Sequence, residues 1–151
     1  MAATSAARRV ELDPQRAWAL WTELDRWPTF VEGFDRIVEQ GGAWPGEGAK
    51  LVWGSTPGGR GRVTEKVETS EPGVVFATRV FEESLTGTQT VTFEQLEEGP
   101  TRVVLRLDYD LARGGALKPI MDVLFIRRAL GQALGRTLAR FAVEAAEEAA
   151  L

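Results

Sequence analysis

The chain contains no cysteine and no histidine among its 151 residues. The first absence excludes disulfides and thiolate chemistry. The second removes the commonest metal ligand and the commonest general base at neutral pH. No apolar run approaches the roughly 20 residues that a membrane-spanning helix needs. Positive charge is in deficit, with 18 Lys and Arg against 22 Asp and Glu and a net charge of −4. That balance argues against nucleic acid as the main partner. None of the glycine-rich turns has the spacing of a phosphate loop or a dinucleotide fingerprint. Ser55, Ser70 and Ser84 have no histidine to activate them, which excludes the usual serine triad. Residues 1–7, MAATSAA, lack the charged-then-apolar pattern of a signal peptide and read as a loose tail. These absences together predict a cytoplasmic protein with no metal and no cofactor.

What is present is enough apolar residues, 44% of the chain, to build a core. The length suits one domain, residues 1–151. The last third, residues 116–149, reads as one long helix. With Ile120 as zero and about 100° per residue, Val123, Leu124, Gly131, Leu134, Leu138 and Phe141 fall on one stripe. Such a helix needs a large apolar surface to lie on. Before it come short strands. Arg8–Leu12 is the first, followed by Asp13-Pro14, a good helix start. A helix to about Leu24 and a second over about Arg26–Phe34 follow. Six strand candidates then succeed one another: 34–39, 49–55, 60–69, 74–82, 88–96 and 101–111. Tight turns between them imply antiparallel pairing. The expected fold class is α+β: a curved antiparallel sheet of seven strands wrapped around a C-terminal helix, with two short helices after the first strand.

Several residues stand where chemistry is possible. Arg127 falls at about 340° on the helical count, near the middle of the apolar stripe. It reaches water at the rim, pairs with a sheet carboxylate, or grips an anionic ligand. Glu65 shares a strand face with Val63 and Val67. A carboxyl in an apolar cavity has a raised pKa and is a candidate acid or base. Tyr109 shares the inner face of the last strand with Leu105 and Leu107, so its hydroxyl faces a ligand carbonyl or the backbone. Trp18 and Trp21, three apart on a helix, read as core. Asp108 and Asp110 alternate with apolar residues and read as a solvated face. Gly131 and Gly135 inside the long helix each cost about 1 kcal/mol relative to alanine, offset by close packing on the sheet. Around Ile120–Ile126 the helix is more apolar than one stripe requires. That excess predicts a cavity under its N-terminal half, with Met121 and Phe125 at a mouth or a dimer contact.

The order of elements resembles the helix-grip fold of the START/Bet v 1-like (SRPBCC) superfamily. The stretch ELDPQRAWALWTELDRWPTF, residues 11–30, is similar to the family's opening. GRVTEKVETSEPGVVFATR, residues 61–79, is similar to its central hairpin, and GPTRVVLRLDYDL, residues 99–111, to its last strand. The nearest subgroup is the bacterial polyketide cyclase/dehydrase-like proteins. The resemblance implies a small apolar ligand, such as a lipid, quinone or polyketide, held between sheet and long helix. It also implies that Trp27, Phe30, Phe34 and Trp53 wall one end of the pocket. The full expected ligand set is these four with Val63, Glu65, Tyr109, Leu124 and Arg127, and the ligand has an anionic or polar end. The alternatives are a cyclase or dehydratase using Glu65 and Tyr109, and a module that binds a protein partner. A monomer or weak homodimer is expected.

Overall fold

The structure is a computed structural model that describes residues 2–111 and 120–151, with side chains of the last helix described from Leu124 onward. Seven strands form one sheet in the order β1-β7-β6-β5-β4-β3-β2. They are β1 (Ala2–Val10), β2 (Phe34–Gly41), β3 (Lys50–Ser55), β4 (Arg62–Glu71), β5 (Val75–Phe81), β6 (Leu85–Gln95) and β7 (Thr101–Leu111). Every neighbouring pair is antiparallel. The helices are α1 (Pro14–Thr22), α2 (Trp27–Phe30) and α3 (Ile120–Ala149). The expected architecture is therefore present, and α3 runs unbroken through Gly131 and Gly135. No described helix is long and apolar enough to cross a membrane.

Local chemistry places the ends of the short helices. The Asp13 carboxylate accepts from the Arg16 N–H at 2.9 Å, with Pro14 at the first helical position. The second helix is shorter than the sequence predicts. After Phe30 the chain turns extended at Val31, and Gly33 adopts φ +76°, which only glycine takes without strain. Phe34 then joins β2.

Residues 2–7 are not a loose tail. They belong to β1, which pairs along its whole length with β7, from Ala2 opposite Tyr109 to Val10 opposite Thr101. Small side chains hid this strand, because Ala-Ala-Thr-Ser-Ala-Ala shows no bulky alternation. Their smallness has a use: α3 lies across β1, and a Cβ on Gly131 would meet Thr4 Oγ1 at 2.8 Å. The expected close packing thus holds at Gly131. It does not hold at Gly135, where a Cβ would meet nothing within 4 Å.

The apolar face of the sheet and the stripe of α3 meet in the core. Leu134, Leu138, Phe141 and Ala145 are all buried. Trp21, Phe30 and Phe141 form a triad with ring centroids 5.1–5.3 Å apart. Arg26 ties the turn before α2 to the end of α3 through Glu144 at 2.8 Å and Glu148 at 3.1 Å. On the outer face Arg106 holds Asp108 with two hydrogen bonds of 2.9 Å, as a solvated face requires.

Candidate functional site

A cleft opens between the inner face of the sheet and the middle of α3, with about 610 Å³ of empty space, its open mouth included. The floor comes from β3, β4, β6 and β7, through Trp53, Glu65, Gln89, Leu105 and Leu107. α3 supplies Leu130, Ala133, Leu134 and Thr137 as the roof. Trp21, Trp27, Val31 and Glu32 close one side, and Arg60 from the β3–β4 turn stands at another. The roof residues of the cleft thus lie around the middle of α3, most of them within its first half but C-terminal to Ile120–Ile126.

Strand register explains the floor. Thr78 of β5 lies opposite Gln89 of β6, and Gln89 lies opposite Leu107 of β7. One strand further on, Glu65 lies opposite Leu51, between Val63 and Val67 on the buried face of β4. Glu65 is the buried acid that the alternation predicts. Its Oε2 accepts from Trp53 Nε1 at 2.8 Å, and its Oε1 accepts from the Thr78 hydroxyl at 2.9 Å. Burial pushes its pKa up, while these two donors and the Arg60 charge act the other way.

Arg60 is positioned by two contacts. Its guanidinium lies over the Trp53 ring, 5.3 Å from the centroid. Its Nε donates to Glu82 Oε2 at 2.7 Å, and the Glu82 side chain is only 2% exposed. Glu32, on the turn between α2 and β2, receives Arg136 at 3.1 Å and Arg140 at 2.6 Å, both from α3. Its backbone N–H donates to the Thr137 hydroxyl at 3.0 Å. These contacts fasten the Val31–Glu32 edge of the cleft to the helix.

Of the residues predicted to bind, Trp27, Trp53 and Glu65 line the cleft. Phe30 does not; it is fully buried against Trp21 and Phe141. Phe34 sits behind the wall, against Trp27 and Trp53. Val63 is fully buried in the core opposite Trp53. Tyr109 is 1% exposed and lies beyond Leu107 on the same face. Its hydroxyl has no hydrogen-bond partner among the described residues, and burial raises its pKa. Leu124 and Arg127 are corrections, since neither lines the cleft. Leu124 is 54% exposed, Phe125 is 72% exposed, and Arg127 is exposed. The helical count put Arg127 on the correct face, but among the described side chains of that face cover begins only beyond it, at Leu130. Arg127 thus keeps its charge in water, where it costs least. Met121 lies outside the described side chains.

The sequence missed Arg60, Glu32 and Gln89. Each needs a register or a turn that composition does not show. Trp21, read as core, is both core and cleft wall. No cluster of acidic side chains fit to hold a metal exists among the described residues.

A sheet curled around a C-terminal helix, with a cleft between them, defines the helix-grip class of small-ligand-binding folds. The chain belongs to the polyketide cyclase / dehydrase and lipid transport family, whose sequence model matches residues 1–146. No curated protein matches it in sequence. Solved structures do match it in fold. The Zhui aromatase/cyclase from Streptomyces sp. R1128 superposes with a TM-score of 0.77 at 15% identity, covering 95% of this chain and 93% of that one. The di-domain aromatase/cyclase StfQ of the steffimycin biosynthetic pathway gives 0.77 at 17% identity, covering 99% of this chain and 52% of StfQ. Truncated norcoclaurine synthase from Thalictrum flavum gives 0.67 at 14% identity, covering 93% and 91%.

Proposed function

We propose that the protein binds a small, mainly apolar molecule in the cleft between sheet and α3. The observation that supports this is the wall itself. Apolar side chains make most of it, three indoles and four leucines among them, and Glu32, Arg60, Glu65, Gln89 and Thr137 are the polar minority. An apolar pocket with a few fixed polar groups is the ordinary design of a small-molecule site. The anion grip expected at Arg127 has no place in this reading, because that side chain is exposed.

The test is titration with a neutral dye that brightens in apolar surroundings. The parent gives a saturable signal that an apolar competitor removes. Ala133→Trp, which fills the roof, weakens binding by at least about tenfold, roughly 1.4 kcal/mol. Arg127→Met leaves it unchanged. Equal binding by the parent and Ala133→Trp would place the dye elsewhere and overturn the reading.

A second reading, a cyclase or dehydratase, is favoured by one observation. Glu65 is a buried carboxyl in the cleft whose pKa burial pushes up, a candidate acid or base. Its neighbours in fold include aromatase/cyclases. Turnover of a polyketide-like substrate by the parent and its loss in Glu65→Gln, with dye binding intact, is the outcome this reading requires.

A further inference from the structure

The charged side chains that line the cleft differ in one respect. Glu32 has two guanidinium partners, Arg136 and Arg140. Arg60 has the buried Glu82. Glu65 forms no ion pair among the described residues; its partners are an indole N–H and a hydroxyl. The charges acting on it are those of Arg60 and Glu82, which oppose each other. Among the described residues, the α3 side chains that roof the cleft are uncharged: Leu130, Ala133, Leu134 and Thr137. The floor of the cleft therefore lacks one positive charge whenever Glu65 is ionised.

Resting on the binding reading above, we propose that the cleft takes a ligand whose polar end is a protonated amine, seated against Glu65 with its carbon skeleton among Trp21, Trp27 and Trp53. A carboxylate offers about four lone-pair sites. Trp53 and Thr78 take one on each oxygen and fix the group's orientation. No other described group donates to the remaining sites, which leaves them for N–H donors from a ligand. An ammonium group supplies both the donors and the missing charge. The indoles suit it as well, because the negative face of an aromatic ring attracts cations. The Arg60 guanidinium over Trp53 already shows one ring in this use. An anionic end meets the opposite situation: Glu65 repels it, and the Arg60 charge is cancelled by Glu82. Amine binding requires ionised Glu65, so it weakens as pH falls and Glu65 gains its proton.

Three probes with one carbon skeleton separate the cases: phenylbutylamine, phenylbutanol and phenylbutyrate. Each competes with the neutral dye on the native protein, and calorimetry checks the affinities. The amine binds tighter than the alcohol by about tenfold or more, as a hydrogen bond to a charged group implies. The butyrate binds weakest. Glu65→Gln keeps the shape and removes the charge; it brings amine and alcohol to equal affinity. If Glu65→Gln does not fold, a pH series on the parent decides instead. Acidification then weakens the amine and leaves the alcohol unaffected. Equal amine and alcohol affinity in the parent, tightest binding by the butyrate, or an amine preference that survives Glu65→Gln or acidification would overturn the proposal. With saturable dye binding, those results leave the binding reading standing. Without saturable dye binding, both fall.

Discussion

Two buried regions lie under α3 and differ in kind. The Trp21–Phe30–Phe141 triad is apolar, with exposures of 1%, 0% and 0%. The Trp53–Glu65–Thr78 cluster is buried almost as deeply, at 1%, 4% and 1%. In the first, Phe141 packs edge to face on both Trp21 and Phe30. The second encloses a carboxyl held by two hydrogen bonds, beside empty space. Depth of burial thus does not separate core from site. The separation comes from whether space is filled and whether an ionisable group is enclosed. A buried carboxyl without a cation opposes folding unless its hydrogen bonds offset the loss of water. Its presence beside a cleft favours a functional role over a structural one.

The sharpest way to break this comparison is to cut into the triad. Phe141→Ala removes the ring shared by Trp21 and Phe30, and should lower stability by about 3–5 kcal/mol. Chemical denaturation would show it as a lower midpoint with an unchanged slope. A loss near zero would mean that the triad is loosely packed and resembles the cleft.

Glu65→Gln probes the other region, and its effect depends on pH. The folded-state pKa of Glu65 is raised above the ordinary 4.5. Between the two values the folded state holds more protons than the unfolded one, so stability falls as pH rises through that window. The stabilising contribution is full below the unfolded pKa and is lost as pH climbs through the folded one. Glu65→Gln removes this dependence, so the variant gains on the parent as pH rises. Parallel stability curves for the two proteins across that range would show that Glu65 titrates normally.

The smallest effect separates two glycines of one helix. Gly135→Ala meets open space and should stabilise by about 0.5–1 kcal/mol. Gly131→Ala brings a methyl against Thr4 Oγ1 and should gain less or lose stability. Thermal melts of both variants decide it, and a larger gain at Gly131 would contradict the close approach of α3 to β1.

Much of the fold was legible because it rests on period. Val103, Leu105, Leu107 and Tyr109 are buried in alternation, as their spacing predicts. The Asp13-Pro14 cap and the stripe from Leu134 to Ala145 were legible for the same local reason. β1 was not, since its six small residues carry no periodic signal and gain a role only when α3 lies across them. Of the site, Glu65 was legible as an acid between valines on a buried face. Arg60 was not, because its partners Trp53 and Glu82 lie 7 and 22 positions away and meet it only through hairpin register.

The sequence by itself determined which face each strand and helix turns inward, because side-chain direction follows from backbone geometry one residue at a time. Only the tertiary structure decided how far along α3 that face is covered. Coverage depends on where β1 and β7 run beneath the helix, which is a relation between segments distant in the chain. Arg127 and Leu134 stand seven residues apart on nearly the same side of α3. One is in water and the other roofs the cleft, and no property of the helix alone distinguishes them.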